Sequence, residues 1–118
     1  MEIILATRNP SKALQIQAVF SGSDIQVRTL DDADLEGEAV EDGVTLEENS
    51  FKKAWYAHEQ SPSTWTMADD TGIFIQALNG EPGVHAARWA GEVSTEEITQ
   101  YCLKRLEGVT DRSALFRT

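Results

Sequence analysis

The stretch Met67-Ala68-Asp69-Asp70-Thr71-Gly72-Ile73 sets two carboxylates side by side at the end of a short apolar run. In an extended strand Asp69 and Asp70 point to opposite faces, so one can face a site while the other is held from behind. Like charges this close are costly unless a cation or hydrogen-bond donors offset them. Mg²⁺, held by one or two carboxylates together with substrate phosphates, is the usual solution. The same letters also make an ordinary strand-end turn, where Asp and Gly are common. A second cluster, Thr7-Arg8-Asn9-Pro10-Ser11-Lys12, has the outline of an anion site. Backbone N–H groups and the positive end of a helix dipole converge there. Thr7 and Asn9 add neutral donors, and Lys12 adds charge one turn in. The glycines and spacing of a Walker A loop are missing, and a plain capped helix accounts for the same residues. Glu41 lies just ahead of a further helix, where the dipole favours a carboxylate or a bound anion. Asn49 and Lys53 are four apart on that helix, beside or within its apolar stripe. Lys53 there either snorkels to water or reaches inward toward an anion.

These residues need a scaffold, and the hydrophobic pattern supplies one. Glu2–Ala6 reads as a buried strand, and a helix follows to about Phe20, with Asn9 as N-cap and Pro10 at its first position. Ala13, Ile16, Val19 and Phe20 are expected on its inner face. Asp24–Leu30 reads as a second strand, giving a βαβ-type start. Thr45-Leu46-Glu47-Glu48 is a capping box for a helix to about Gln60. Leu46, Ser50, Ala54 and Ala57 lie along one face of that helix, and Phe51, Trp55 and His58 form another stripe. His58 has no second histidine at metal-ligand spacing and reads as structural or surface. Thr64–Ala68 is a third strand and Gly72–Leu78 a fourth. A loop through Pro82-Gly83 and a short helix over Val84–Gly91 follow. Arg88 there could bind phosphate or the Asp pair, or face solvent. Ser94-Thr95-Glu96-Glu97 caps a helix to about Glu107, with Ile98, Tyr101, Cys102 and Leu106 inward. Ser113–Arg117 begins another strand.

The chain has 118 residues, room for one domain with a modest core. Its formal net charge is −10, which argues against nucleic acid and anionic membrane as partners. Nine acids and no base fall between Asp31 and Glu48, and most of these read as solvated loop charge. No apolar run approaches the ~20 residues needed to span a bilayer, and the N-terminus lacks signal-peptide features. A single cysteine, Cys102, points to a reducing, cytoplasmic setting and reads as core rather than nucleophile.

Four segments in order then resemble one family. They are Thr7–Lys12, Glu41-Asp42-Gly43-Val44-Thr45-Leu46-Glu47-Glu48-Asn49-Ser50-Phe51-Lys52-Lys53-Ala54, Ala68-Asp69-Asp70-Thr71-Gly72-Ile73, and Ala77–Gly91 with its Asn79-Gly80-Glu81-Pro82-Gly83-Val84-His85 core. Each motif alone is weak to moderate, but their order and spacing are specific. They resemble the non-canonical purine nucleoside triphosphate pyrophosphatases, the inosine/xanthosine triphosphatase or HAM1-like family, over residues 2–118. The resemblance implies an α/β fold: an elongated mixed β-sheet with flanking helices and two lobes around a cleft, of the ITPase-like (anticodon-binding-like, Maf–HAM1) type. Residues 1–118 would form a single domain, the N-terminal portion of that fold. It implies a Mg²⁺-dependent hydrolase that converts ITP, dITP and XTP to the monophosphate and pyrophosphate in nucleotide-pool sanitation. By resemblance Thr7, Arg8, Asn9, Lys12 and Lys53 hold the triphosphate, and Thr71 contacts substrate. Glu41 and Asp70 hold Mg²⁺, Asp70 acts on the attacking water, and Asp69 and Asn49 support them. A homodimer is implied as well.

The match departs from the family in places. Pro10-Ser11 stands where glycine usually precedes the lysine, and Thr71 replaces a serine while keeping the hydroxyl. The family's Gly-Tyr-Asp-type loop, later lysine and Ser-His-Arg segment, which grip the base, have no counterpart, so the chain is expected to be C-terminally shortened. The alternative reading is a catalytically weak or inactive remnant that binds nucleotide or associates with itself.

Overall fold

The computed structural model describes residues 1–118, which divide into two compact units, Met1–Asp69 and Asp70–Thr118.

In the first unit, β1 (Glu2–Leu5) is the central strand of a parallel three-stranded sheet ordered β2-β1-β3. The β2 strand (Gln26–Thr29) pairs in register Ile3 with Val27, and β3 (Trp65–Met67) pairs Ile3 with Trp65. Parallel neighbours need crossovers, and two helices supply them. The first, α1 (Pro10–Val19), starts at Asn9, whose side chain accepts from the N–H groups of Ser11 and Lys12. Ala13 is buried, but Val19 is 76% exposed, against expectation. At about 100° per residue, position 19 lies well off the stripe through 13, 16 and 20. The second helix, α2 (Leu46–Gln60), is capped by Thr45 accepting from Glu48 N–H. The reciprocal arm of the capping box shifts by one residue, because Glu48 accepts from Val44 N–H at 2.8 Å. Ile4, Ala6, Leu30 and Ala57 form the core, with Ala33, Leu35 and Ala68 packed against it.

Between β2 and α2 the acidic segment is pinned from two sides. Arg8 donates to the carbonyls of Leu35 and Gly37, each at 2.9 Å, and pairs with Asp31. On α2, Tyr56 and Gln60 donate to Glu36 O at 3.1 and 3.2 Å.

The second unit is antiparallel, with sheet order β5-β4-β6. Its central strand is β4 (Gly72–Ile75), flanked by β5 (Pro82–Gly83) and β6 (Ala114–Arg117). The α/β class is as expected, but parallel and antiparallel pairings fall in separate sheets. The expected strand to Leu78 stops at Ile75. Gln76–Leu78 forms a 3₁₀ turn that ends on Asn79, which sits at φ 53°. The expected helix over Val84–Gly91 is a single 3₁₀ turn, Ala86–Arg88. The helix α3 (Thr95–Arg105) leads to Leu106, which packs with Ile75 and Leu78 in this unit's core, with Cys102 beside them as expected.

The start of α3 is sensitive to acid. Ser94 and Glu97 form a reciprocal capping box, and the Ser94 N–H and hydroxyl hold the Glu97 carboxyl below its ordinary value of 4.5. The folded value is the lower one, so this contribution is complete above the ordinary glutamate range and is lost as pH falls through the folded value. Amide exchange in the first turn of α3 is expected to quicken on acidification in that window. Glu97→Gln is expected to remove the pH dependence.

Candidate active site

The first unit's parallel sheet directs its carboxyl ends to one edge, the side on which open α/β sheets bind ligands. The turn after β1 carries Thr7, Arg8 and Asn9, and the residues after β3 are Ala68 and Asp69. Lys12, one turn into α1, closes the gap between these two turns. Its Nζ lies 2.5 Å from Asp69 Oδ2, with both side chains mostly buried. The other carboxylate oxygen, Asp69 Oδ1, is buried and accepts no hydrogen bond. A charge-assisted pair of this kind fixes the lysine's direction as well as its charge.

The helix N-terminus beside it does not hold open donors. Pro10 has no N–H, Asn9 Oδ1 takes the N–H groups of Ser11 and Lys12, and Asn9 O takes that of Ala13. The expected cradle of backbone donors is therefore occupied by the helix's own cap. Thr7 Oγ1 accepts from Asn9 N–H at 3.2 Å and stiffens the same turn. Arg8 points the other way, into the acidic loop, where Glu38 also lies 3.6 Å from its Nε.

The second pairing is Lys53 with Glu41, Nζ to Oε2 3.6 Å. Lys53 is one of the two orientations left open by its place beside the stripe, and the structure selects the inward one: its side chain is 15% exposed. The separation is that of an ion pair rather than a hydrogen bond.

Asn49 holds the loop that carries Glu41. It is 1% exposed, and its Oδ1 accepts from Gly43 N–H at 2.8 Å. Its Nδ2 is buried with no acceptor. Gly43 is a site-shaping residue that its sequence context did not single out. A Cβ there would stand 2.6 Å from Asn49 Oδ1 and 2.8 Å from Glu48 Cβ. The signal was available only in pairing: a glycine six residues before an asparagine that α2 buries. Gly43→Ala is expected to destabilise the protein by about 1–3 kcal/mol through overpacking, read as a lower urea midpoint. Gly43→Ser is expected to be no better, since it carries the same Cβ. Lys52 pairs with Asp42 on the outer side of the same loop, holding the Asp42 carboxyl below its ordinary range.

Asp70 and Thr71 open the second unit and lead into β4. Both are partly buried, and Thr71 Oγ1 lies 2.9 Å from Thr118 Oγ1.

The donor set suits a hard divalent cation. Mg²⁺ takes oxygen ligands, keeps several waters, and needs only one or two carboxylates when phosphates complete its shell. The carboxylates of this set fit that description, and the buried Asp69 Oδ1 leaves one oxygen without a hydrogen bond, whereas a soft-metal site would need thiolate or imidazole. No three His, Cys, Asp or Glu side chains gather into a closed cage. Such a site would depend on the ligand for the rest of its shell.

A family model described as the Ham1 family matches residues 3–118. The dITP/XTP pyrophosphatase of Thermoanaerobacter sp. (strain X514) is 41% identical over 121 residues, covering 100% of this chain and 61% of that protein. The dITP/XTP pyrophosphatase of Geobacter sulfurreducens is 38% identical and covers 98% of this chain and 59% of its own. Among solved structures, a HAM1 protein from Coxiella burnetii superposes with a TM-score of 0.86 at 36% identity, over 98% of this chain and 59% of that one. The Staphylococcus aureus Ham1 protein gives a TM-score of 0.82 at 36% identity, over 98% of this chain and 59% of that one. The chain thus spans about 60% of the length of the relatives it matches.

Proposed function

The chain belongs to the Ham1 family, and from that premise we propose that it serves the hydrolysis of deaminated purine nucleoside triphosphates. The substrates are ITP, dITP and XTP, and the products are the monophosphate and pyrophosphate. The observation that carries this reading is the Lys12–Asp69 pair, 2.5 Å long, at the carboxyl ends of a parallel sheet. The names of the relatives, dITP/XTP pyrophosphatases, support the substrate class.

The residues work as follows. Without nucleotide, Lys12 and Lys53 are each held by one carboxylate. A triphosphate presents oxygens of higher charge density, and the two ammonium groups turn from their carboxylates to it. Thr7 and Asn9 keep the β1–α1 turn rigid while Lys12 does so, and Arg8 anchors that turn to the acidic loop. Asn49 fixes the Glu41 loop through Gly43 N–H. Glu41 and Asp70 would hold Mg²⁺, which would supply Lewis-acid polarisation of the phosphates. Asp70 takes a proton from the water that opens the α–β anhydride, and pyrophosphate leaves. Thr71 steadies the substrate by its hydroxyl, and Asp69 orients Lys12 throughout. The protein works in the cytoplasm as a homodimer.

The test is pyrophosphate release from ITP, dITP, XTP, GTP and ATP with and without Mg²⁺. The expected result is Mg²⁺-dependent release favouring the deaminated purines. Nucleotide binding without any release would instead favour a nucleotide-binding remnant of the family.

A further inference from the structure

Arg8 stands in the β1–α1 turn between Thr7 and Asn9, yet its side chain serves another segment. All three guanidinium nitrogens are engaged there. Nη2 donates to Leu35 O and Gly37 O, each at 2.9 Å, Nε donates to Gly37 O at 3.2 Å, and Nη1 pairs with Asp31. Glu38 lies 3.6 Å from Nε. A planar fork can span two carbonyls in this way, whereas a lysine is a point charge and cannot. To reach a phosphate, Arg8 would have to strip both carbonyls of these donors.

The segment it holds has little else to define it. No helix or strand lies between Thr29 and Leu46. A stretch of that kind is ordinarily among the least stable parts of a fold. Here side chains fix its backbone at two places. Near its middle, Arg8 takes the carbonyls of Leu35 and Gly37, and Tyr56 and Gln60 donate to Glu36 O. At its far end, Asn49 Oδ1 accepts from Gly43 N–H at 2.8 Å. Glu41 lies between these two holds, with its carboxylate 3.6 Å from Lys53 Nζ. The β1–α1 turn, by contrast, has its own bonds from Thr7 and Asn9 and does not need Arg8 to keep its shape. The segment is therefore the dependent partner of this contact. A carboxylate that must be ordered as it binds loses affinity to that ordering, and one held beforehand does not.

We propose that Arg8 is a positioning residue for Glu41. By capping Leu35 O and Gly37 O it fixes the acidic segment, so that the Glu41 carboxylate is in place for a divalent cation, and it does not itself hold the triphosphate. This rests on the reading of Glu41 as a metal ligand under the proposed function, and it departs from the role that the family resemblance gives Arg8.

The test is calorimetry of an ITP analogue with a methylene group in place of the α–β bridging oxygen, in Mg²⁺ and in EDTA. The wild-type chain is compared with Arg8→Lys and Arg8→Ala. Arg8→Lys keeps the positive charge beside Asp31 and Glu38 and loses the fork. The expected result is a Mg²⁺-dependent gain in affinity about tenfold smaller in Arg8→Lys than in the wild type, as for loss of a group that orients a metal ligand, with little change in EDTA. Amide exchange over residues 36–42 is expected to quicken in the same variant without ligand. In a Glu41→Gln background, Arg8→Lys is expected to change the Mg²⁺ gain no further, which a general loosening of the fold would not reproduce. Affinity in EDTA that Arg8→Ala loses and Arg8→Lys restores makes Arg8 a phosphate ligand and overturns the proposal. So does an equal Mg²⁺ gain in the wild type and Arg8→Lys, or a reduction that persists undiminished in the Glu41→Gln background. Should Arg8→Ala fail to fold, the Arg8→Lys comparisons decide alone. Turnover of ITP itself is read separately. A wild-type chain that binds the analogue more tightly with Mg²⁺ yet releases no pyrophosphate removes hydrolysis and leaves the role of Arg8 standing, whereas one that gains nothing from Mg²⁺ overturns that role.

Discussion

Asp70→Asn is expected to reduce pyrophosphate release from ITP by about 10²–10⁴-fold, the range for loss of a general acid–base group. Asparagine keeps the size of the side chain and one acceptor oxygen, so the turn into β4 is preserved. It loses the charge that would favour Mg²⁺ and the basicity that would take the proton. Nucleotide binding, measured by calorimetry without turnover, is expected to survive, because Lys12 and Lys53 are untouched. A variant within about tenfold of the wild type would remove Asp70 from the role of base. Asp69→Asn separates the two members of the pair. Asp69 is bonded to Lys12 at 2.5 Å, so its loss is expected to raise KM more than it lowers kcat.

Ile4→Ala is expected to cost about 2–5 kcal/mol, a large part of the ~5–15 kcal/mol that holds a domain of this size. The central strand places Ile4 at 2% exposure among Ala6, Leu30 and Ala57, with Ala33, Leu35 and Ala68 at the margin. Most of those neighbours have no side chain beyond Cβ. They cannot swing into the space, so the cavity stays open and its full cost is felt. The urea midpoint reports it. Ile4→Val is expected to cost about 0.5–1.5 kcal/mol, which separates loss of volume from loss of the residue.

Much of the scaffold was legible because its signals are local. Asn9-Pro10, Thr45 and Ser94 mark helix starts through short-range bonds that the chain must satisfy wherever it is placed. The run Ile3-Ile4-Leu5 marks a buried strand for the same reason. What was not legible depends on partners distant in sequence. Pro82-Gly83 became a strand only because Phe74 and Ile73 pair with it. The apolar run after Gly72 ended early because Asn79 adopts a left-handed turn, which returns Gly80 N–H to Ile75 O. Val19 went outward although it is apolar, since nothing in the chain packs over that side of α1.

The site shows the same division. The sequence marked Lys12, Lys53, Glu41 and Asp69 as chemistry-bearing but could not say which cation met which carboxylate. It also left two readings open at the start of α1, an anion cradle and a plain capped helix, and the structure has Asn9 capping those amides. An N-cap and an anion compete for the same donors, and the residue already in the chain holds them at no cost in concentration. The place of Asn49 at the apolar stripe of α2 hinted at burial, but its partner, the backbone N–H of Gly43, carried no sign in the sequence.

The Arg8 clasp on the acidic loop has a kinetic meaning. Its contacts with Asp31, Leu35 and Gly37 bridge 23, 27 and 29 residues of chain. Contacts across such separations follow the pairing of β1 with β2, since closing the long loop is opposed by entropy until the sheet exists. They are expected to form on the native side of the folding barrier, which the folding and unfolding arms of a chevron for Arg8→Ala would read. An interaction of that kind leaves the rate of folding nearly untouched and lowers the rate of unfolding. Arg8 is in this sense a latch, set after the sheet is laid down, and it sets how long the carboxylate-rich segment stays closed once the protein has folded.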